Sequence, residues 1–350
     1  MSVLDSPAIP KAATVLVTGA AGWVGSNVAD QFLAYGYKVR GTTRDATKAA
    51  WIVEVFDKKY GKGQFELHSV SDMVAEGAYD DVIKGVSAVV HTASLMSADP
   101  NPHNVIPMVV DSAVNALKAA YAEPSVDRFI YTSSSSAAVR AQRGEPGINV
   151  TVDSWADDDV KRAWAEPPYL PERARFIYAA SKYEAEKVIW KYHQENRENR
   201  PGLIVNAVLP NVNYGKPLDF EKQGYPSTSA LPVGLYNGDI SPYHQIIAPQ
   251  YYVNASDTGR LHVAAAIHPD VKDERIFAFA GRFSWDAILE ILRKNFPNKE
   301  FIDNFSGGED LNEILPRSRA EQLLRDLGRP GWVSLEETVL ENVKDIVDRE

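Results

Sequence analysis

The stretch TVLVTGAAGWVG, residues 14–25, decides the fold. It begins with a short run of mostly β-branched residues, which is typical of a buried strand. Three glycines follow in a GxxGxxG spacing, Gly19, Gly22 and Gly25, and from Trp23 to Tyr35 apolar residues recur with helical spacing. A strand, a glycine-rich turn and a helix in this order predict the first unit of a dinucleotide-binding fold.

The three glycines have different expected roles in such a turn. The first permits the tight turn, the second lets the backbone approach a pyrophosphate, and the third lets the helix pack on the strand. The free N–H groups and the positive dipole end of the helix then face the phosphates. The alternative is a purely structural turn, since many turns use glycine. The cofactor contacts predicted here are Gly19, Gly22, Trp23, Val24 and Gly25.

Strand-like and helix-like segments alternate along the chain as far as Asn211. This order predicts an α/β fold, a doubly wound parallel sheet of the Rossmann type with helices on both faces. The further strands are predicted at residues 37–44, 65–70, 88–94, 128–134 and 203–211. The further helices are predicted at residues 47–60 and 103–122, and in a long stretch that includes residues 176–190.

Two regions interrupt this alternation. Residues 137–175, rich in Pro, Asp and Trp, form a long connection that we interpret as a lid, and residues 214–252 are again rich in Gly and Pro. We expect a dinucleotide-binding domain, mainly residues 1–212, and a smaller, interleaved C-terminal substrate-binding lobe, mainly residues 213–350. Part of the second half, about residues 253–282, is expected to return to the first domain. The predicted C-terminal elements are a strand at Arg275–Gly281 and helices at Trp285–Phe296, Arg319–Leu327 and Leu335–Asp348.

The composition excludes several classes of partner. The 350-residue chain has a net charge of −10, a pI near 5.3 and no block of Lys or Arg, so nucleic acid and anionic membranes are poor partners. It has no cysteine, which excludes disulfides, thiolate metal sites and a cysteine nucleophile. The leader MSVLDSPAIPK lacks the pattern of a secretory signal, and no apolar run approaches the roughly 18 residues of a membrane helix. The expected location is the cytoplasm.

The end of the second strand indicates which dinucleotide binds. An NAD site usually carries Asp or Glu there, which bonds the ribose 2′-hydroxyl. Here the strand ends in Arg44, and Lys48 follows within a turn; Asp45 would compete only if the strand ran further. A guanidinium suits a 2′-phosphate, so NADP(H) is the predicted cofactor unless Arg44 is only a solvated surface charge. Asp72, next to Met73 after the third strand, is expected either to bond the adenine amino group or to cap the next helix.

The segment FIYAASKYEAEKVIW, residues 176–190, contains two Tyr-x-x-x-Lys pairs. In each pair a phenol and an ammonium lie one helical turn apart on the same face. The Lys cation is expected to lower the Tyr pKa toward the range that general acid catalysis requires. The pair Tyr178/Lys182 encloses small residues that let a cofactor lie close, whereas Tyr183/Lys187 encloses two glutamates and is expected on an exposed face, with its Lys solvated.

A neighbouring strand offers a third polar group. RFIYTSS, residues 128–134, leaves Ser133 or Ser134 at the carboxyl end of a strand, where open α/β sheets bind ligands. A hydroxyl at this position could orient a carbonyl that is being reduced.

The motifs TGAAGWVG, HTAS, YTSS and YAASK together resemble those of the extended short-chain dehydrogenases/reductases. The arrangement is similar to the dihydroflavonol-reductase-like branch, and the segments VRGTTRD, VSDM, DSW, NAVLPN, APQYYV and LGRPGW are similar to its fungal aldehyde and carbonyl reductases. The resemblance extends from Thr14 to about Trp332. It implies Ser134, Tyr178 and Lys182 as the catalytic residues.

The resemblance also implies further cofactor contacts. Tyr178 and Lys182 would contact the cofactor, Lys182 at the nicotinamide ribose. The residues expected beside the nicotinamide are Pro210, Asn211 and Val212, and those flanking the cofactor after the fourth strand are Thr92 and Ala93.

Several other polar residues are expected to be structural. Many short-chain reductases hold a proton-relay water with an Asn; the corresponding position here is Val109, and Asn115 is interpreted as a packing residue, so a four-residue relay is not supported. His91 is also interpreted as structural. The run Asp157–Asp159 is interpreted as a solvated charge run, because consecutive carboxylates do not converge on a metal ion. The histidines without ligand spacing are His193, His244, His262 and His268.

The implied reaction is hydride transfer from NADPH to a carbonyl carbon, with Tyr178 as the general acid and Ser134 bonded to the carbonyl oxygen. The candidate walls of the substrate pocket are mainly apolar and include no Arg or Lys, which favours a small neutral aldehyde, ketone or keto ester. Alternatively, these residues belong to a satellite core. The candidates are Leu95, Met96, Pro168, Tyr169, Ile246, Ile247 and Gln250. The expected assembly is a monomer or a homodimer.

Three rival functions share parts of this pattern. A dihydroflavonol- or cinnamoyl-CoA-type reductase would differ only in the substrate pocket. A sugar-nucleotide epimerase or dehydratase shares the fold, but dehydratases typically follow the catalytic serine with an acid, and SSSA at residues 134–137 has none. A non-catalytic NADPH-sensing protein could lose the Tyr or the Lys, and here both remain.

Overall fold

The computed structural model describes residues 5–141 and 146–349. Residues 142–145 of the predicted lid and residues 1–4 of the leader lie outside the described part. The strands are β1 (Thr14–Thr18), β2 (Lys38–Thr43), β3 (Phe65–Ser69), β4 (Ala88–His91), β5 (Arg128–Thr132), β6 (Asn149–Val150), β7 (Ile204–Pro210), β8 (Val212–Tyr214), β9 (Gln250–Asn254), β10 (Arg275–Ala278), β11 (Gly281–Phe283) and β12 (Glu313–Ile314).

Helices connect or flank these strands. They are α1 (Trp23–Ala34), α2 (Trp51–Tyr60), α3 (Pro102–Ala122), α4 (Asp157–Ala163), α5 (Ala174–Asn196), α6 (Phe220–Gln223), α7 (Ala230–Asn237), α8 (Pro242–Ile246), α9 (Ala255–Ile267), α10 (Trp285–Asn295), α11 (Arg317–Asp326) and α12 (Leu335–Val347). Among the described residues, no helix is both long and apolar enough to span a membrane.

Seven strands form one parallel sheet in the order β10-β7-β5-β4-β1-β2-β3. The strand order reverses between β1 and β4, which is the topological switch point of a doubly wound fold. Because all seven strands are parallel, their carboxyl ends meet at one edge of the sheet. The predicted α/β fold is therefore confirmed.

Helices cover both faces of this sheet, which explains why its central strands are almost wholly apolar. On one face α1 and α9 pack over a core that includes Val15, Phe32 and Leu261. On the other face α3 and α5 pack over a core that includes Leu16 and Phe129. Thus α9 and β10, from the segment expected to return to the first domain, both contact the elements of that domain.

The rest of the C-terminal half forms a smaller assembly. Strands β11, β9 and β8 make a three-stranded sheet, and α7, α10 and α12 pack over a separate core that includes Trp285, Tyr236 and Val339. Strand β9 and the short β8 and β11 were not predicted from periodicity, because runs of three to five residues carry little pattern.

Local capping explains where several elements differ from prediction. The predicted helix at residues 47–60 begins only at Trp51, because the Asp45 carboxylate accepts the Thr47 and Lys48 amides at 3.0 and 3.3 Å and holds a turn there. The predicted lid also contains regular structure, namely β6 and α4, and β6 pairs in parallel with the distant β12.

Candidate active site

The residues predicted to form the site follow the carboxyl ends of the sheet strands. Gly19 follows β1, Arg44 follows β2, Thr92 and Ala93 follow β4, and Ser134 follows β5. These strands are neighbours in the sheet, so the predicted groups line one edge on both sides of the switch point.

The glycine turn leaves no room for side chains at two of its positions. Gly19 has φ +67°, and a Cβ there would lie 3.0 Å from the Ala93 Cα. A Cβ on Gly25 would lie 2.2 Å from the Gly19 carbonyl oxygen, well inside van der Waals contact. The first turn of α1 can therefore lie against the end of β1 only because both residues are glycine.

The amino end of α1 is open toward this turn. Its N-cap is Gly22, which has no side chain to accept the first N–H groups of the helix. Beside it, the indole N–H of Trp23 is buried and has no hydrogen-bond partner among the described residues. The turn thus leaves a concave stretch of backbone that a Cβ would fill, and the N–H groups at the start of α1 are not capped by a side chain. This arrangement fits the phosphates of a dinucleotide.

Arg44 is exposed, and within the described part of the chain its guanidinium makes no hydrogen bond or ion pair. Lys48, by contrast, lies 3.6 Å from the Asp45 carboxylate. The Asp45 carboxylate is thus bonded within the turn that follows β2. Among the described residues at this strand end, the Arg44 guanidinium is the charge without a partner.

The loop after β3 is held by α3. Asn115 donates from Nδ2 to the carbonyl oxygens of Val74 at 2.6 Å and Ala75 at 3.2 Å. Asp72 is exposed and accepts the Val74 amide at 2.9 Å, so it closes a turn rather than capping a helix. Met73 packs on the core beneath this loop. Asn115 therefore positions the loop that contains Asp72.

Val109, the position that corresponds to a relay Asn, is 3% exposed and belongs to the core.

The ends of β1 and β4 are joined through His91. Its Nδ1 lies 3.0 Å from the Thr18 hydroxyl, which also accepts the Ala93 amide at 3.1 Å. Thr92 donates to the Thr18 carbonyl oxygen. Burial lowers the pKa of His91 to about 3, so the ring is neutral and supports the backbone, which agrees with a structural role.

The structure distinguishes the two candidate serines. The Ser133 hydroxyl donates to the buried Glu186 carboxylate at 2.6 Å. Ser134 instead begins a short 3₁₀ turn, accepts the Ser136 amide at 3.2 Å, and shares a hydrogen bond with the Tyr178 phenol. Ser134 is therefore the serine that faces Tyr178.

The pKa of Tyr178 differs from expectation. Burial raises it above its ordinary value, and the hydrogen bond with Ser134 opposes this rise only in part. The sequence-based expectation that Lys182 lowers the Tyr178 pKa is wrong for this structure, because burial dominates and the opposing partner is Ser134.

Lys182 is nearly completely buried, with 4% of its surface exposed. Its Nζ donates to the Thr132 carbonyl oxygen at 3.0 Å and lies 5.3 Å from the centre of the Tyr131 ring. Burial lowers the pKa of Lys182 to about 8, against the opposing effect of the Glu186 carboxylate.

The second Tyr/Lys pair does not lie free on an exposed face as predicted. The Tyr183 hydroxyl donates to Asp157 at 2.6 Å, and the ring of Tyr183 packs edge-on against Trp155 at 5.2 Å. Lys187 is exposed, but its Nζ lies 3.8 Å from the centre of the Trp155 ring. The pair holds residues of the predicted lid and is turned away from Tyr178.

The interpretation of Asp157–Asp159 as a solvated run is wrong for Asp159. This residue is 3% exposed and lies 2.8 Å from the Arg140 guanidinium, because it lies in the first turn of the short α4, where that helix packs on α5. Asp158 is exposed and pairs with Lys161. Within residues 5–141 and 146–349, no group of three His, Cys, Asp or Glu side chains could hold a metal ion.

The predicted nicotinamide segment lies between two sheets. Pro210 ends β7 and Val212 begins β8, so Asn211 is the link between them. Its amide donates to the Ala278 carbonyl oxygen at 3.1 Å, and its own side chain accepts the Val212 amide at 2.8 Å. These bonds fix the backbone at the carboxyl edge beside β5.

The predicted substrate walls have different surroundings. Met96 and Ile246 are 71% and 56% exposed, whereas Leu95 and Ile247 pack on two different cores. Pro168 is exposed, Tyr169 stacks with Arg173, and Gln250 donates to the Ala248 carbonyl oxygen. Two cavities of about 570 and 600 Å³ are lined by other residues, the second by residues that include Val152, Trp155, Lys187, Trp190 and Arg275.

Sequence reasoning missed Glu186 and Arg275, which join the helix of Tyr178 to the predicted lid. The one local signal was the four-residue spacing between Lys182 and Glu186, which places both on the same helix face.

A doubly wound sheet with a glycine turn and a Ser-Tyr-Lys grouping at its carboxyl edge is the arrangement of an extended short-chain dehydrogenase/reductase. The chain belongs to the NAD dependent epimerase/dehydratase family, whose family model matches residues 15–276. This confirms the family predicted from the motifs.

Individual relatives are similar over nearly the whole chain. Aldehyde reductase 2 of Sporidiobolus salmonicolor is 40% identical over 100% of this chain and 99% of its own length. Ketoreductase adrE of Penicillium rubens is 37% identical over 96% of this chain and 97% of its own. Gre2 from Candida albicans, solved in complex with NADPH, matches the fold with a TM-score of 0.81 at 24% identity, covering 97% of this chain and 99% of that one.

Proposed function

We propose that the protein is an NADPH-dependent reductase that converts small neutral aldehydes, ketones or keto esters to alcohols. The observation that carries this proposal is the grouping of Ser134, Tyr178 and Lys182 at the carboxyl edge of β5, next to a glycine turn that fits a dinucleotide. The aldehyde reductase and ketoreductase at 40% and 37% identity support the same reaction class.

Each residue of the group has a distinct task. Tyr178 donates its Oη proton to the substrate oxygen, and its raised pKa keeps that proton in place until it is needed. Ser134 donates a hydrogen bond to the same oxygen and so fixes the carbonyl. Lys182 provides a buried positive charge one helical turn from Tyr178 and would contact the cofactor ribose.

The residues present fit NADPH. The turn at Gly19, Gly22 and Gly25 with Trp23 and Val24 would hold the diphosphate, and the unpaired Arg44 with Lys48 would bind the 2′-phosphate. The remaining predicted contacts are Asp72, Met73, Thr92, Ala93, Pro210, Asn211 and Val212. When bound, this cofactor supplies the hydride.

The division of labour between the two parts of the chain follows from these assignments. Residues 1–212 with about 253–282 would bind the cofactor, and most of residues 213–350 would bind the substrate. The substrate contacts Leu95, Met96, Pro168, Ile246, Ile247 and Gln250, the choice between monomer and homodimer, and a cytoplasmic location stay predictions.

The test is NADPH consumption, followed by absorbance, with aromatic aldehydes, keto esters and a dihydroflavonol, and with NADH in parallel. Turnover of the simple carbonyls with NADPH would support the proposal. Turnover of the dihydroflavonol alone would favour the flavonoid-type alternative. NADPH binding without turnover of any substrate would contradict the reductase assignment and favour a sugar-nucleotide enzyme or a sensing role.

A further inference from the structure

A buried carboxylate lies one helical turn beyond Lys182. Glu186 is 0% exposed, and both of its oxygens are occupied. Its Oε2 accepts the Ser133 hydroxyl at 2.6 Å, and its Oε1 accepts the Arg275 Nε at 2.6 Å and the Trp190 indole N–H at 3.1 Å. Three donors, one of them a guanidinium, thus surround this carboxylate in the interior.

The guanidinium of Arg275 continues this contact into the predicted lid. Its side chain is 8% exposed, and its Nη1 donates to the carbonyl oxygens of Val152 at 2.5 Å and Ser154 at 2.9 Å. The same guanidinium stacks on the Trp155 ring at 3.8 Å. Residues 152–155, which we call the lid anchor, are therefore fastened through Arg275 to Glu186.

The groups that face Lys182 leave Glu186 as its nearby negative charge. From β4 and β5 it meets His91, which is neutral, and Tyr131, whose pKa burial raises well above its ordinary value. Four titratable groups of other packed elements are engaged elsewhere: His262 of α9 with Thr132 and Thr258, Tyr121 of α3 with His193, Asp157 of α4 with Tyr183, and Asp159 of α4 with Arg140.

We propose that Glu186 is a positioning residue that holds Lys182 in its ammonium form, and that Glu186 and Arg275 together tie the lid anchor to the catalytic helix. This inference rests on the proposed reductase function for its effect on catalysis. The effect on the lid anchor does not depend on that function.

The effect of Glu186 on Lys182 is tested with Glu186→Gln, which keeps the shape of the side chain and removes its charge. The pH at which kcat/KM for NADPH declines on the alkaline side should fall by about one unit, the usual size for the loss of a nearby opposite charge. Glu184→Gln is the matched control, because Glu184 lies two residues away on α5 and bonds instead to Trp164. Superimposable pH profiles for all three proteins would overturn this part of the proposal. Should the wild type lack turnover, the proposed function fails, and the pH dependence of NADPH binding gives the same comparison.

The effect of Arg275 on the lid anchor is tested with Arg275→Lys. This variant keeps a positive charge but loses the Nη1 group that donates to the carbonyl oxygens of both Val152 and Ser154. Hydrogen exchange of the amides in residues 150–156 should become at least several-fold faster, while exchange in β5 stays unchanged. Arg319→Lys is the control, because Arg319 lines the same cavity but pairs with Glu274. Equal exchange of the lid anchor in wild type and Arg275→Lys would overturn the proposal. If Arg275→Lys fails to fold, Trp155→Leu removes the stacking partner and should give the same local increase.

Discussion

The ammonium of Lys182 lies 3.0 Å from the carbonyl oxygen of Thr132, the last residue of β5. This bond fixes the cation at the strand end that also presents Ser134, so the helix and the strand are held in one arrangement before any substrate binds. Helix α5 thus supplies the cation, and the end of β5 fixes its position.

Replacement of Tyr178 by Phe should remove the proton donor and leave the cradle for the cofactor intact. General acids contribute about 10²- to 10⁴-fold, so kcat should fall by at least about a hundredfold. NADPH affinity, measured by fluorescence titration, should stay within a few-fold. Tyr183→Phe is the matched control and should keep wild-type turnover, because Tyr183 contacts Asp157 in the predicted lid. Normal turnover of Tyr178→Phe would exclude Tyr178 as the acid.

The pKa of Lys182 gives a prediction for pH dependence. Burial lowers it to about 8, so the side chain is cationic below that pH and neutral above it. Because the proposed function uses Lys182 as a cation, kcat/KM for NADPH should decline as pH rises through about 8. A rate series from about pH 6 to about pH 10 at saturating carbonyl measures this. Lys187→Gln should show the same decline of kcat/KM. A wild-type profile that is flat to about pH 10 would contradict the assignment of this decline to Lys182.

Much of the fold could be predicted from residue periodicity, because the sheet strands are continuous apolar runs that alternate with helices. The choice between Ser133 and Ser134 could not be predicted from periodicity. Successive residues point to opposite sides of a strand, and which side holds Tyr178 depends on how α5 packs. The contact of Arg275 with Glu186 joins residues 89 positions apart, so no local pattern indicates it.

The pKa of Tyr178 shows a different limit of sequence reasoning. The spacing from Lys182 correctly placed the two groups on one helix, but it carried no information on burial. Burial acts on both, raising the pKa of the phenol and lowering that of the ammonium. The predicted substrate walls stay untested, and two of them, Leu95 and Ile247, pack on separate cores.

Gly25→Ala should abolish cofactor binding or prevent folding. The added Cβ would lie 2.2 Å from the Gly19 carbonyl oxygen, so α1 must move away from the turn. We expect NADPH affinity to fall by at least about a hundredfold, equivalent to about 2.7 kcal/mol, and thermal unfolding to report any loss of the fold. Gly202→Ala is the matched control, because Gly202 is exposed and a Cβ there would meet nothing within 4 Å. Unchanged NADPH affinity in Gly25→Ala would show that the turn does not hold the diphosphate.

Arg44→Ala should narrow the preference for NADPH over NADH. The guanidinium is exposed and without a partner among residues 5–141 and 146–349, so its removal should leave the fold intact and delete one charge-assisted contact to the 2′-phosphate. Such a contact contributes about 1.5–3 kcal/mol, so the ratio of kcat/KM for NADPH to that for NADH should fall roughly ten- to a hundredfold. The loss should lie in the NADPH value, with the NADH value nearly unchanged. Lys58→Ala removes the same charge from an exposed position at the end of α2 and should leave the ratio as it is. If Arg44→Ala and Lys58→Ala give the same ratio as wild type, another residue binds the 2′-phosphate. Lys48 would then be the next residue to replace.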